Sequence, residues 1–170
     1  MTIELKNYAN DIKLNLSSIL REDSNNPLTR KQTLAIALAC AYSTKNQIVI
    51  EFIKEQVGNT LSSAEIEATK GAASVMSMNN IYYRFVHLAS NKEYQQMPAK
   101  LRMNIINNHG IDKVDFELYS LAVSAINGCG MCIDAHVAQL EKANVSKNAI
   151  QDTVRIAAII NAAATAVTIN

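Results

Sequence analysis

The chain has 170 residues, which is enough for one domain with a substantial core. Its 16 Lys and Arg against 15 Asp and Glu leave a net charge of +1, without the basic stripe of a nucleic-acid-binding protein. Three cysteines do not make the disulfide framework of a small secreted protein. Because the start also lacks a signal peptide's apolar core and no apolar stretch could span a membrane, we expect a cytoplasmic protein.

Helical spacing of apolar residues recurs along the whole chain, and no segment shows the alternation of a strand. The sequence therefore predicts an all-α fold. A first amphipathic helix is expected over about residues 5–19, and an almost wholly apolar one over about 30–43, where Cys40 is expected to fill core space. A short helix is expected at Leu101–Ile106, after which we expect His109 to be solvated. The predicted helix-start signals are Thr29 with Gln32, Asn46 (with Ile48 facing inward), Ser62 with Glu65, Asp115 and Ser146.

Cys129, Cys132 and His136 form the most informative pattern in the chain. At about 100° per residue, their i, i+3, i+7 spacing places all three on one face of a helix. Gly128 favours a break just before them, so the cysteines are expected to open a new helix, whose N-terminus favours thiolate. His136 lies one turn from Cys132 and about two from Cys129. The pattern indicates a dithiol/disulfide redox site with an imidazole beside one sulfur.

Two other interpretations of the cysteine pair remain. Buried cysteines are often inert small hydrophobic residues, and two of them can fall at this spacing by chance. Two thiolates and an imidazole could also bind zinc, but a closed structural site needs four ligands and the chain has no second cysteine pair. We therefore favour redox chemistry and expect no metal.

A faint internal repeat relates positions 84 residues apart. Ser62 falls on Ser146 and Thr69 on Thr153, which suggests one domain (1–170) with related halves at about 28–90 and 112–170. Lys45 and Ile48 occupy the places of Cys129 and Cys132, so only the second half carries the redox pair.

Several longer segments carry a family resemblance. The chain resembles the AhpD-like alkylhydroperoxidases of the carboxymuconolactone decarboxylase-like superfamily, including the family signature of Glu117, Cys129, Cys132 and His136. The resemblance implies an all-helical fold of two related halves and, commonly, a homotrimer. The segments that carry it are Tyr8–Ser18, Met78–Ile81, Leu101–Ile106, Phe116–Leu118 and Ala122–Cys129.

The resemblance also implies an activity and its partners. Organic hydroperoxides would be reduced, and the oxidised pair would be re-reduced by dihydrolipoamide on a lipoyl-domain protein, without a tightly bound cofactor. The family's usual client is the peroxiredoxin AhpC. Cys132 would attack the peroxide, Cys129 would resolve the product, and His136 and Glu117 would handle protons around Cys132. Glu117 has a structural alternative, since a carboxylate in a helix's first turn is stabilised by the helix dipole.

One position departs from the family pattern. Well-characterised family members have a second histidine between the cysteines, where this chain has Met131, and a thioether carries no proton. A relay that used this histidine is shortened here, whereas disulfide exchange needs only the cysteines. The alternative functions are a thiol-disulfide adaptor or redox sensor that never meets peroxide, and a decarboxylase or isomerase on the same scaffold.

Overall fold

Residues 3–169 are described by a computed structural model, and within that range the chain is helical and contains no strand. The all-α prediction is confirmed. Residues 3–169 contain no helix with both the length and the apolar composition that a membrane span requires. The seven α-helices are α1 (Asn10–Leu20), α2 (Arg30–Thr44), α3 (Gln47–Val57), α4 (Ser63–Leu88), α5 (Lys113–Ile126), α6 (Gly130–Lys142) and α7 (Lys147–Thr168).

Side-chain caps fix where most of these helices begin. The Thr29 and Ser62 hydroxyls each accept the backbone N–H of the residue three positions on, and Gln32 and Glu65 reach back to complete two capping boxes. Asn46 and Ser146 cap α3 and α7 in the same manner. These four predicted starts are confirmed.

Helices α2 and α5 form the centre of the core. Residues 34–41 of α2 and 116–124 of α5 are buried throughout, and the two helices contact each other. The long helices α4 and α7 each pack against both, and α6 packs against α5 and α4. Cys40 lies fully buried in α2, which confirms it as a core residue, and burial raises the pKa of its thiol. The arrangement leaves α6 on one side of the core, with α4 and α5 as its supports.

The start of α5 differs from the prediction. Asp112, not Asp115, is the N-cap residue, and its carboxylate accepts the Val114 N–H at 2.7 Å. Asp115 instead accepts a hydrogen bond of 2.8 Å from the Gln32 side chain of α2. Both carboxylates suit a helix N-terminus, and the tertiary contact to Gln32 decides between them.

Four other local predictions are also corrected. The helix expected at Leu101–Ile106 is only a 3-10 turn at Asn104–Ile106, and Lys100 just before this segment has a left-handed φ of +53°. The first α-helix begins at Asn10, after a 3-10 turn at Asn7–Ala9. Ile48 is exposed rather than inward. His109 is half-buried, because its ring stacks on Phe116 with centroids 4.4 Å apart. The predicted internal repeat stays a prediction.

Candidate active site

The turn between α5 and α6 places the first cysteine. Gly128 adopts a left-handed φ of +66°, and its N–H donates to the Ala125 carbonyl at 3.2 Å. The Cys129 N–H reaches back to the Ser124 carbonyl at 3.2 Å. These two bonds form a Schellman motif, which satisfies the last carbonyls of α5. Cys129 is thereby tied to the end of α5 and is at the same time the N-cap of α6.

Cys129 and Cys132 are joined by a disulfide, with their Cα atoms 5.3 Å apart. Cys129 Sγ also accepts the Cys132 N–H at 3.3 Å, so a sulfur takes the place of the usual capping oxygen. Cys129 is fully buried, whereas Cys132 keeps 7% of its surface exposed. Cys132 is therefore the more exposed of the two cysteines.

Glu117 of α5 and His136 of α6 form a carboxylate–imidazole pair. Glu117 Oε2 lies 2.7 Å from His136 Nδ1, and only 8% of Glu117 is exposed. His136 lies on α6, one turn after Cys132, as the sequence spacing predicts.

A cavity of about 210 Å³ between the start of α5 and the end of α6 is lined in part by Glu117. Lys113, Gln139 and Lys142 are among its lining residues. Gln139 and Lys142 follow His136 along α6, whereas Cys132 precedes it. Glu117 therefore contacts His136 and also lines this cavity.

The two remaining predictions about the site concern Met131 and metal binding. Met131 lies between the cysteines and is half-buried. Across residues 3–169, no cluster of three or more His, Cys, Asp or Glu side chains could hold a metal ion.

A polar network between α4 and the α5–α6 turn escaped the sequence interpretation. Asn80 donates through Nδ2 to Ser124 Oγ at 2.9 Å, and Asn127 Nδ2 donates to Asn80 Oδ1 at 3.0 Å. Arg84 donates through Nη1 to the Asn127 carbonyl at 2.6 Å. Asn80, a buried amide inside α4, was the available signal, since buried amides need partners.

Comparisons with known proteins identify the family of this chain. A model of the carboxymuconolactone decarboxylase family matches residues 92–169, which include all of helix α6. Proteins named alkyl hydroperoxide reductase AhpD are similar over most of their length. The relative from Coxiella burnetii is 56% identical over 158 residues, 93% of this chain and 89% of the relative. Those from Azorhizobium caulinodans and Brucella canis are 55% and 54% identical over 163 residues, 96% of this chain and 88% and 91% of the relatives. The chain therefore belongs to the carboxymuconolactone decarboxylase family, among the AhpD proteins.

Proposed function

We propose that this chain is an alkyl hydroperoxide reductase that works through its Cys129–Cys132 pair. The single observation that carries the proposal is the disulfide itself, formed across the first turn of α6 beside the Glu117–His136 pair. The names of the relatives support it, since they are called alkyl hydroperoxide reductase AhpD. A decarboxylase function would leave this oxidised pair without a use.

The proposed cycle begins at Cys132, the more exposed of the two cysteines. Its thiolate attacks the terminal oxygen of the hydroperoxide, the O–O bond breaks, and the departing alkoxide takes a proton to become an alcohol. Cys132 is left as a sulfenic acid. The Cys129 thiolate then attacks the Cys132 sulfur, and the S–O bond breaks as hydroxide leaves and is protonated to water. The product is the disulfide present in the structure.

His136 and Glu117 have complementary roles in this proposal. When the neutral imidazole donates its Nδ1 proton to the Glu117 carboxylate, Nε2 is the nitrogen left to accept a proton from Cys132. The same imidazole returns a proton to the leaving oxygen. The carboxylate fixes the tautomer and stabilises the ring when it is charged. The 2.7 Å contact supports this orientation of the ring.

Re-reduction of the disulfide requires an external dithiol. We assign this step to dihydrolipoamide carried by a lipoyl-domain protein, which exchanges through a mixed disulfide and leaves as the oxidised ring. The resemblance to AhpD proteins supports this reductant, the peroxiredoxin AhpC as a client, and a homotrimer as the assembled form. The dithiol chemistry itself needs no tightly bound cofactor.

Thiol titration tests the proposed function. The fully reduced chain has three thiols, Cys40, Cys129 and Cys132. After one equivalent of tert-butyl hydroperoxide, we expect one thiol to remain when the protein is denatured and titrated, and peptide mapping should identify it as Cys40. A double variant with both Cys129 and Cys132 replaced by serine is the control and should lose none. Three remaining thiols in the natural sequence would contradict the proposal. If oxidised lipoamide removed two thiols and the peroxide removed none, the adaptor function would replace the proposed peroxidase function.

A further inference from the structure

Helix α4 carries no redox residue, yet it holds the turn that carries Cys129. Asn80 and Ser124 are both fully buried, and their side chains are joined by the 2.9 Å hydrogen bond from Nδ2 to Oγ. Asn127, the C-cap residue of α5, donates to the same Asn80 at 3.0 Å. One amide of α4 therefore bonds to two positions of α5 that lie just before Cys129.

Arg84 adds a second point of attachment one turn further along α4. It donates to the Asn127 carbonyl at 2.6 Å, and a bond from a charged donor is stronger than a neutral one. Ser124 joins the two sets of contacts, because its hydroxyl accepts from Asn80 while its carbonyl accepts the Cys129 N–H. The chain of bonds thus runs from α4, through the turn, to the backbone of Cys129.

We propose that Asn80 and Arg84 are positioning residues that hold Cys129 where it can close the disulfide with Cys132. The inference rests on the proposed peroxidase cycle and concerns its second step, in which Cys129 attacks the Cys132 sulfenic acid and hydroxide leaves. A fixed Cys129 backbone raises the effective concentration of the resolving thiolate at the Cys132 sulfur. The first step, attack of Cys132 on the hydroperoxide, does not use this restraint.

The arginine is the better residue to change, because it is exposed whereas Asn80 lies in the core. Arg84→Met keeps the apolar stem and removes the bond to the Asn127 carbonyl. Arg84→Lys keeps a charged donor, and a cavity of about 200 Å³ beside Arg84 and Asn127 leaves room for its ammonium group. Asn127→Ala is a second route, because it removes the bond to Asn80 and leaves the carbonyl for Arg84.

Arg30→Met is a matched control, because its hydrogen bond joins α2 to the end of α1 rather than to the α5–α6 turn. Arg30 also donates through Nη1 to a carbonyl at a helix C-terminus, that of Leu20 at the end of α1. Loss of this hydrogen bond should lower the stability of the fold, as loss of the Arg84 bond does, but it should not change the position of Cys129. A difference between the Arg84 and Arg30 variants in redox behaviour is therefore not an effect of stability alone.

Two measurements test the proposal. The first is the equilibrium between the Cys129–Cys132 disulfide and a dithiothreitol buffer, which needs no peroxide and so stays informative if the peroxidase proposal fails. We expect Arg84→Met and Asn127→Ala each to lower the equilibrium constant for disulfide formation by about threefold to tenfold, the range that loss of one hydrogen bond produces. Arg84→Lys should restore most of the loss, and Arg30→Met should match the natural sequence.

The second measurement is competition between disulfide closure and dimedone, a reagent that traps sulfenic acids. After one equivalent of tert-butyl hydroperoxide, the trapped fraction of Cys132 should rise severalfold in Arg84→Met, while the rate of peroxide consumption stays within about twofold. Unchanged equilibrium and trapping in both Arg84→Met and Asn127→Ala would overturn the proposal. Equal changes of the equilibrium and the trapped fraction in Arg30→Met would also overturn it, because general destabilisation would then explain both.

Discussion

Replacing Gly128 by alanine tests whether the turn before Cys129 is held in the left-handed conformation. Gly128 has φ of +66°, and a Cβ built there meets no heavy atom within 4 Å, so the substitution creates no clash. Backbone strain alone therefore opposes it, at about 1–2 kcal/mol for an L-residue in this region. The lower entropy of the unfolded alanine chain offsets about 0.4–1 kcal/mol of that, which leaves a net loss of about 1 kcal/mol.

Gly130→Ala is the matched substitution on the other side of Cys129. Gly130 is the first residue of α6, its φ is not positive, and its Cβ would also meet open space. Alanine there should leave stability unchanged or raise it by up to about 1 kcal/mol, because alanine is the better helix former. The two variants add the same methyl group and differ only in the backbone conformation that receives it.

Calorimetry of the oxidised proteins measures the melting midpoint of each variant. For a domain of this size, 1 kcal/mol shifts the midpoint by about 2–4 °C, so Gly128→Ala should melt about 2–4 °C below the natural sequence. Gly130→Ala should melt at the same temperature or above it. Gly128→Asn should fall between Gly128→Ala and the natural sequence, because asparagine tolerates this conformation better than alanine does. Equal midpoints for Gly128→Ala and Gly130→Ala would refute the reasoning.

Three further predictions concern individual side chains of the site and the core. His136→Phe keeps the ring's bulk and removes proton transfer, so stopped-flow kinetics should show peroxide reduction slower by roughly 10²–10⁴-fold, and an unchanged rate would exclude His136 from proton transfer. Met131→His should speed peroxide reduction and leave exchange with dihydrolipoamide nearly unchanged; equal rates with a lowered melting midpoint would show that Met131 only packs. Because burial raises the pKa of the Cys40 thiol, iodoacetamide should label Cys132 and spare Cys40 in the reduced native protein, and comparable labelling of both would contradict the buried position.

Local signals were enough for most helix starts and for the redox motif. A capping box lies within four residues, so Thr29 with Gln32 and Ser62 with Glu65 could be read directly from the sequence. The cysteine pair likewise depends on one turn of one helix, and the spacing of Cys129 and Cys132 already placed them side by side. Such features need no knowledge of how the helices pack.

Contacts between distant segments decided the features that the sequence did not predict. Asp115 had a good capping position but is held by Gln32, 83 residues earlier, while Asp112 caps α5. The pairing of Glu117 with His136 joins two helices, so no spacing within one helix could predict it. The bond from Arg84 to Asn127 spans 43 residues, and no local pattern marks its partner.

The false helix at Leu101–Ile106 has a similar cause. The apolar residues of this segment follow helical spacing. Met103, Ile105 and Ile106 nevertheless pack against the core from a loop that contains a 3-10 turn. Burial of apolar side chains requires only that they face the core, and a loop can supply this as well as a helix can.

The roles of the two cysteines are tested most directly by intact mass spectrometry of Cys129→Ser and Cys132→Ser after one equivalent of tert-butyl hydroperoxide. The Cys129→Ser protein should consume the peroxide and gain one oxygen atom on Cys132, which dimedone then traps, because no resolving thiol is present. The Cys132→Ser protein should consume none and keep its mass. Stoichiometric peroxide consumption by Cys132→Ser would contradict Cys132 as the attacking sulfur.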